Sequence, residues 1–326
     1  MKKINVYKYI PIFLSIASLI FVYAPFQSDS TLGNQTIRDI LRIILYMLII
    51  PCFFLTIVLY LKKKNKIDKS SIFAILSILI FYFFSTFNNG NNIFEFSGLI
   101  TLISCVTYLL LPNDIQLKTY RIFKSIWTII CAISIVCYLS YILDGFIPYI
   151  KTKYYSLRYY ETDKYVSYGI TFLYESGKYI RLCGITNEAG FFGTICAMLL
   201  CADGINLKNI RNIIILIAAI FTYSFAFFLI LLIYLLLKSF KKIKIFILLL
   251  LIIISYIFIL PNIKFDDPNL NYLLQRFTIT DDGFKGDNRS NEQLDNLFLI
   301  SIRERPIFGY GKDFVKNSQI GRSCII

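Results

Sequence analysis

The residues of this sequence that are best suited to chemistry are arginines and carboxylates, because the chain contains no histidine. The lack of histidine excludes the Ser-His-Asp and Cys-His arrangements, histidine-ligated zinc, and the usual proton shuttle near neutral pH. Arginine binds phosphate through a planar fork of N–H donors, and a carboxylate accepts a proton as a general base. Two polar segments of the sequence combine these residue types.

The first polar segment runs from Arg181 to Gly190 and leads directly into an apolar stretch. The pattern puts Glu188 near the N-terminus of a helix, with Thr186 or Asn187 as the capping residue. A helix N-terminus stabilises negative charge, so it suits the carboxylate or a phosphate group, and Arg181 suits a diphosphate. The alternative interpretation is a capped helix start beside an interfacial arginine.

The second polar segment begins near residue 287. Ser290 and Gln293 form a capping box, which predicts an amphipathic helix over 291–303. A proline follows and ends the helix. Arginines stand at both ends of this predicted helix: Arg289, Arg303 and Arg305. The alternative interpretation is an interfacial helix that anchors a loop.

Tyrosines are concentrated between residues 149 and 179. A tyrosine ring with its hydroxyl suits the membrane interface, and it also suits stacking on sugar rings. Both interpretations stay open for this segment: an interfacial aromatic belt or a platform that binds saccharide.

The elements that must position these residues are apolar runs, which predict a polytopic membrane protein. The 326 residues are 57% hydrophobic, and the mean hydropathy is +0.64. The runs cover residues 10–23, 40–61, 71–87, 93–111, 125–143, 189–202, 213–237 and 245–260. The eight cysteines mostly lie inside these runs without C-x-x-C spacing, so we interpret them as small membrane-embedded hydrophobic residues.

The run at 213–237 contains a polar break, Thr222-Tyr223-Ser224. The run could form one tilted span or two short helices, and the distribution of charge decides between them. Two short helices that meet at the break keep the lysines after residue 237 on the inner side, which gives nine membrane segments and a cytoplasmic N-terminus. The inner segments then hold 17 Lys/Arg and 3 Asp/Glu, and the remainder holds 17 of each; these segments are 1–9, 62–70, 112–124, 203–212 and 238–244. Topology therefore accounts for the net charge of +14, and nucleic-acid binding is not expected.

The sequence thus predicts a single integral membrane domain over 1–326, an all-α bundle of about nine transmembrane segments. Two long loops, 144–188 and 261–326, lie on the outer face, and the second carries the amphipathic helix. We expect the functional residues in these loops, because binding and catalytic residues often lie on loops. Lipid does not tolerate non-helical backbone, so the loops are the place where such backbone is retained.

Three features together resemble the family of O-antigen and capsular polysaccharide polymerases and ligases. They are the Arg-x-x-Gly-x-Thr-Asn-Glu cluster at 181–188 that opens a helix, the Thr-x-Ser break at 222–224, and the arginine-led amphipathic helix that ends in Arg-Pro-Ile-Phe-Gly-Tyr-Gly at 305–311. The similarity covers about residues 40–313. Their order along a many-spanning chain carries the resemblance.

The resemblance implies a membrane glycosyltransferase of the bacterial cytoplasmic membrane that joins oligosaccharide repeat units linked to undecaprenyl diphosphate on its outer face. It implies no cofactor, no metal and no nucleotide sugar, and a chain-length regulator protein as a further partner beside membrane lipid. Arg181 and Arg289 match arginines that hold diphosphate, and Glu188 matches the carboxylate at the helix start, with Glu292 as the alternative base. We expect substrate contacts from Thr186, Asn187, Arg303, Arg305 and Tyr310.

Two departures from the family matter. Ligases of the family use a histidine in the second long loop, and this chain has none, which favours a polymerase. Family members continue with further helices after the Gly-x-Gly motif, so we expect that the chain is truncated at its C-terminus. Two other functions stay open: a flippase for lipid-linked oligosaccharide or another transporter, and a non-catalytic component of a membrane assembly.

Overall fold

The structure is a computed structural model, and it describes residues 8–24, 35–63, 69–88, 96–143, 145–153, 164–176, 179–239, 271, 279–280, 283–284 and 299–304. These residues are mostly helical, as the apolar runs predicted. They form two compact units: the first lies within residues 1–21, 34–123 and 289–326, and the second within 22–33 and 124–288.

Among the described residues up to 142, the helices that begin in the first unit are α1 (Ile10–Val22), α2 (Gln35–Lys63), α3 (Lys69–Asn88), α4 (Phe96–Leu110) and α5 (Asn113–Ile142). The helices α1 to α4 follow the first four predicted runs to within a few residues. The boundary between the units falls inside α5, after Phe123.

The segment 112–124, which we predicted as a loop between two runs, is helical, because α5 already begins at Asn113. The carbonyl of Pro112 accepts the amides of Ile115 and Gln116 at 2.9 Å, which starts the helix immediately after the proline. The side-chain amide of Gln116 donates to the Leu111 carbonyl at 2.9 Å, so it also satisfies the end of α4. The polar residues that looked like a loop are therefore the first turns of a helix.

The core of the first unit joins α1 to α2. Ile10 and Leu14 of α1 are buried in one cluster with Cys52 and Leu59 of α2 and with Leu111. The Ser15 hydroxyl adds a polar link, because it donates to the carbonyls of Pro11 at 2.7 Å and Thr119 at 3.1 Å.

Among the residues that the structure describes, two helices are long and apolar enough to cross a membrane by length and composition, namely Thr36–Leu61 within α2 and Asn113–Ile142. Large apolar side chains on α2 and α3 are left uncovered by the described part of the chain: Met47 is 71% exposed, Phe73 74% and Phe81 76%. Such faces suit lipid better than water. The predicted run at 245–260 lies outside the described residues.

The second unit contains a sheet that the all-α prediction missed. Four antiparallel strands run in the order β1-β2-β3-β4: Ile150–Lys153, Lys164–Ser167, Phe172–Ser176 and Tyr179–Gly184. The physical reason is composition, because the strands contain tyrosine, valine, isoleucine, phenylalanine and threonine, all of which favour strands. A short turn in which the Tyr168 amide donates to the Thr171 carbonyl at 2.9 Å joins β2 to β3.

Three helices complete the second unit: α6 (Ala189–Ala202), α7 (Ile210–Ile220) and α8 (Phe225–Ser239). The helix α6 has the bounds of its predicted run. The break predicted inside 213–237 is confirmed, because α7 ends at Ile220 and α8 begins at Phe225. A two-stranded hairpin, β5 (Ile279–Thr280) with β6 (Gly283–Phe284), is also described.

The loop predicted over 261–326 is described in part. Residues 299–304 are helical, overlap the end of the amphipathic helix predicted over 291–303, and belong to the first unit. The rest of that predicted helix lies outside the described residues.

A glycine on α6 permits the close approach of the break between α7 and α8. A Cβ atom built on Gly193 would lie 2.8 Å from the Ser224 Cβ and 2.9 Å from the Thr222 hydroxyl oxygen. These distances are shorter than van der Waals contact, so an alanine there would push the break away from α6. Gly190, one turn earlier, has only the Ser224 hydroxyl oxygen at 4.0 Å.

We therefore expect Gly193→Ala to lower the thermal unfolding midpoint of the purified protein, because overpacking costs about 1–3 kcal/mol. Gly190→Ala is the matched control and should unfold at or above the wild-type temperature, since alanine favours helix over glycine by about 1 kcal/mol. Thermal unfolding followed by intrinsic fluorescence measures both. Equal midpoints for the two variants would contradict the described packing.

Candidate functional site

The break between α7 and α8 keeps its backbone satisfied with its own hydroxyl groups. The Thr222 hydroxyl donates to the Ala219 carbonyl at 2.6 Å and accepts the Ser224 amide at 3.2 Å. The Ser224 hydroxyl accepts the Phe227 amide at 3.4 Å and thereby caps α8. Between them, Tyr223 has a φ of 47°, a left-handed conformation that costs a tyrosine about 1–2 kcal/mol.

The last strand of the sheet packs directly on this break. The Leu182 amide donates to the Phe221 carbonyl at 2.9 Å, and the Arg181 Nε donates to the Thr222 carbonyl at 2.9 Å. Two of the three pieces of sequence that carry the resemblance, 181–188 and 222–224, are therefore in contact in the fold. Because the Thr222 carbonyl fixes Nε, the orientation of the Arg181 guanidinium is tied to the backbone of the break.

The turn after β4 requires a glycine. Gly184 has a φ of 58°, and a Cβ atom built there would lie 2.2 Å from the Phe192 ring. The same ring stacks on Trp127 of α5 with 5.1 Å between ring centroids. The turn is thus held against the first residues of α6 and the buried face of α5.

Thr186 and Asn187 have structural contacts in this turn. The buried Thr186 hydroxyl lies 2.8 Å from the Cys183 carbonyl and 2.7 Å from the Glu188 carbonyl, so it bridges the two sides of the turn. The Asn187 carbonyl accepts a hydrogen bond from the Tyr165 hydroxyl of β2.

The prediction that Thr186 or Asn187 caps α6 is wrong. Glu188 itself is the N-cap residue, with extended backbone angles (φ −134°, ψ 134°) and no hydrogen bond from its side chain to the cap. The hydroxyl of Thr186 is unable to cap the helix because it is engaged across the turn. The Glu188 carboxylate does lie at the start of α6, as predicted, where the helix dipole favours negative charge.

Of the other predicted site residues, only Arg303 lies within the described ranges. Arg303 is exposed on the helical segment 299–304, which belongs to the first unit. Arg289, Arg305 and Tyr310 lie outside the described residues. Within the described ranges, His, Cys, Asp and Glu side chains form no group of three or more that could hold a metal ion.

A buried ion pair at the other end of α6 was missed by the sequence reasoning. Lys124 of α5 contacts the Asp203 carboxylate through a short hydrogen bond and donates to the Asn212 side-chain oxygen at 2.6 Å. The Lys124 side chain is only 6% exposed. The spacing of the sequence could have indicated that Lys124 is buried. Lys124 lies on the same helix face as a series of buried residues three or four positions apart, namely Trp127, Cys131, Ser134 and Tyr138.

Comparison of the chain with protein-family models, with curated proteins and with solved structures finds no match in any of the three.

Cys183 lies in the middle of the site, and its surroundings make it a poor nucleophile. Burial raises the pKa of the Cys183 thiol to about 12; the charge of Arg181 lowers this pKa and that of Glu188 raises it. The thiol stays protonated near neutral pH, and the thiolate is the reactive form.

We expect Cys183 to resist N-ethylmaleimide at pH 8 in the folded protein and to react after denaturation in detergent, as read by peptide mass spectrometry. An unfolded thiol has a pKa of about 8.5. The neutral thiol therefore makes its full contribution to the free energy of unfolding below about pH 8.5. This contribution is lost as the pH rises from about 8.5 towards about 12, because the thiol of the unfolded chain ionises first. Rapid labelling of the folded protein at pH 8 would contradict the buried position.

Proposed function

We propose that this protein is a polysaccharide polymerase. It would join oligosaccharide repeat units carried by undecaprenyl diphosphate on the outer face of a bacterial cytoplasmic membrane, as a multi-pass protein with a cytoplasmic N-terminus and about nine membrane segments. The observation that carries the proposal is the contact between two of the three motifs of the resemblance, in which the Arg181 Nε donates to the Thr222 carbonyl.

The proposed reaction needs charge neutralisation more than it needs covalent catalysis. A hydroxyl of the acceptor unit attacks the anomeric carbon of the donor sugar, the bond from that carbon to the lipid diphosphate breaks, and the diphosphate leaves as an anion. Arg181 and Arg289 would neutralise this anion through their planar forks. Glu188 would accept the proton of the attacking hydroxyl.

The fixed orientation of Arg181 supports this role. Hydrogen bonds to a leaving anion are most effective when the donors are already oriented before the reaction. The Nε–H of Arg181 donates to the Thr222 carbonyl, and a guanidinium group held in this way would bind a diphosphate through its planar fork. Glu188 follows on the same continuous turn, seven residues further along the chain.

Helix length supports a site near lipid headgroups. The 14 residues of α6 extend for about 21 Å at 1.5 Å per residue, whereas the hydrocarbon core of a bilayer is about 30 Å thick. If α6 spans the membrane, the bilayer thins around it or its ends lie below the surface. Glu188 at its N-terminus would then be within reach of the diphosphate of a lipid carrier.

The second candidate is a transporter, such as a flippase for lipid-linked oligosaccharide. The contact of the buried Lys124 with Asp203 favours it, because paired charges at the ends of membrane helices also occur along transport paths. The pair lies at the C-terminal end of α6, opposite Glu188, and Asn212 completes its hydrogen bonding. These contacts are also those of a satisfied structural ion pair, so we rank this function second.

We expect Arg181→Lys to reduce the yield of long glycan by roughly 10–100-fold, because hydrogen bonds to a charged group are worth about 1.5–3 kcal/mol and lysine lacks the planar fork. The control is Arg211→Lys, since Arg211 donates to the Ser125 hydroxyl at 3.0 Å at the other end of the helices. Gel analysis of glycan length in a deletion strain, at matched protein level, measures both. Wild-type glycan lengths with Arg181→Lys would refute the assignment.

The deletion strain itself separates the two candidate functions. A polymerase predicts that single repeat units accumulate on the outer face of the membrane, since transport of the lipid-linked unit is intact. A flippase predicts that the units accumulate on the inner face. Labelling of surface-exposed sugars on intact cells and on lysed cells measures the side, and inner accumulation would contradict the polymerase.

A further inference from the structure

A second cluster of polar side chains, which contains neither Arg181 nor Glu188, lies where the end of α5 meets strands β1 and β3. It consists of Tyr141, Tyr149, Lys151 and Glu175, and we call these residues the tyrosine–lysine cluster. Its residue Glu175 pairs with Ile180, the neighbour of Arg181 on β4. The rings of Tyr141 and Tyr149 meet edge to face with 5.2 Å between centroids. The Lys151 Nζ lies 5.1 Å from the Tyr141 centroid and 5.8 Å from the Tyr149 centroid.

Glu175 holds the cluster together. One oxygen of its carboxylate accepts the Tyr141 hydroxyl at 2.7 Å, and the other lies 3.1 Å from the Lys151 Nζ. The Tyr141 hydroxyl and the Glu175 carboxylate raise the pKa of Lys151, so it carries its charge throughout the physiological range. The cluster therefore presents a fixed cation beside aromatic rings.

The backbone that carries Tyr149 is fixed by the end of α5. The Gly145 amide donates to the Ser140 carbonyl at 2.7 Å, and the Ile147 amide donates to the Ser140 hydroxyl oxygen at 2.9 Å. The Tyr149 ring also packs on the Tyr168 ring, with 5.8 Å between centroids. Tyr149 is nevertheless 38% exposed, so part of its ring is open to a ligand.

The chemistry of this cluster fits a sugar. The C–H groups on one face of a pyranose carry partial positive charge and pack on the negative face of an aromatic ring. An ammonium group with three N–H donors binds the hydroxyl oxygens at the edge of the same sugar. A tyrosine that only anchors a protein in the membrane interface has no need of a fixed ion pair beside its ring.

We propose that the tyrosine–lysine cluster is a binding subsite for a pyranose ring, which stacks on Tyr149 and accepts hydrogen bonds from Lys151. Tyr141 and Glu175 are positioning residues, because they act through Lys151. The assignment of this sugar as part of the acceptor glycan rests on the proposed polymerase function. The binding itself follows from the cluster alone.

Two neighbouring apolar residues fit a lipid-linked ligand. Phe146 and Ile150, on either side of Tyr149 in the sequence, are 65% and 69% exposed. Residues of this kind enter the membrane interface readily, which would bring the cluster to the level of the headgroups. A sugar carried by a membrane lipid is presented at that level.

Saturation-transfer NMR on the full chain in lipid nanodiscs tests the proposal. The probes are glucose, galactose, N-acetylglucosamine and rhamnose, each free in solution, with the open-chain polyol sorbitol as the reference. We expect saturation transfer to the ring protons of at least one pyranose, and at least a tenfold weaker affinity in Tyr149→Ala. Absence of transfer above the sorbitol level for all four sugars would overturn the proposal.

Matched variants separate binding from folding. Tyr149→Phe should keep the affinity, because the stacking face remains, whereas Lys151→Met should lose at least fivefold. Tyr234→Ala is the control, since Lys238 lies 5.6 Å from the Tyr234 centroid but donates to the Gly204 carbonyl in place of a carboxylate. Wild-type affinity in Lys151→Met would overturn the proposal, as would an equal loss in Tyr234→Ala.

The two proposals fail in different ways. If Arg181→Lys loses long glycan but the wild type binds none of the four sugars, the polymerase proposal is supported and the subsite proposal is refuted. Pyranose binding that depends on Tyr149, together with normal glycan in Arg181→Lys, would leave the subsite standing and remove the polymerase. Binding by Arg181→Lys itself should equal that of the wild type.

Discussion

The second unit depends on the interruption between α7 and α8. A broken helix in apolar surroundings leaves backbone groups that must find partners, since each unsatisfied group costs several kcal/mol in hydrocarbon. Thr222 and Ser224 supply partners through their own hydroxyls, and β4 supplies the rest through the Leu182 amide and the Arg181 Nε. The sheet, the break and the start of α6 therefore form one hydrogen-bonded arrangement.

This constraint explains residues that would otherwise look arbitrary. Gly193 has no side chain because the break lies against α6, and Gly184 adopts a left-handed conformation because the Phe192 ring fills the space of a Cβ atom. Thr186 is buried because its hydroxyl bridges the turn before α6. A charged arginine tied to a backbone carbonyl in such a site suits an anionic ligand, which is why we propose a lipid diphosphate.

Sequence reasoning succeeded where one local signal dominates. The bounds of α6 and the break at 222–224 follow from apolar periodicity and a polar interruption. It failed where the decisive contact is distant in sequence. The sheet within 144–188 depends on pairing between strands. Glu188 becomes the N-cap residue because the Thr186 hydroxyl bridges the turn. Lys124 is buried in contact with Asp203, which lies 79 residues away in the sequence.

The most direct test of the account is the binding of polyprenyl lipids to the purified protein, measured by native mass spectrometry. The account predicts that the wild type retains undecaprenyl diphosphate more tightly than undecaprenyl monophosphate, and that Arg181→Gln abolishes this preference while Arg211→Gln preserves it. Equal retention of the diphosphate by the wild type and by Arg181→Gln would contradict the claim that Arg181 binds the leaving group.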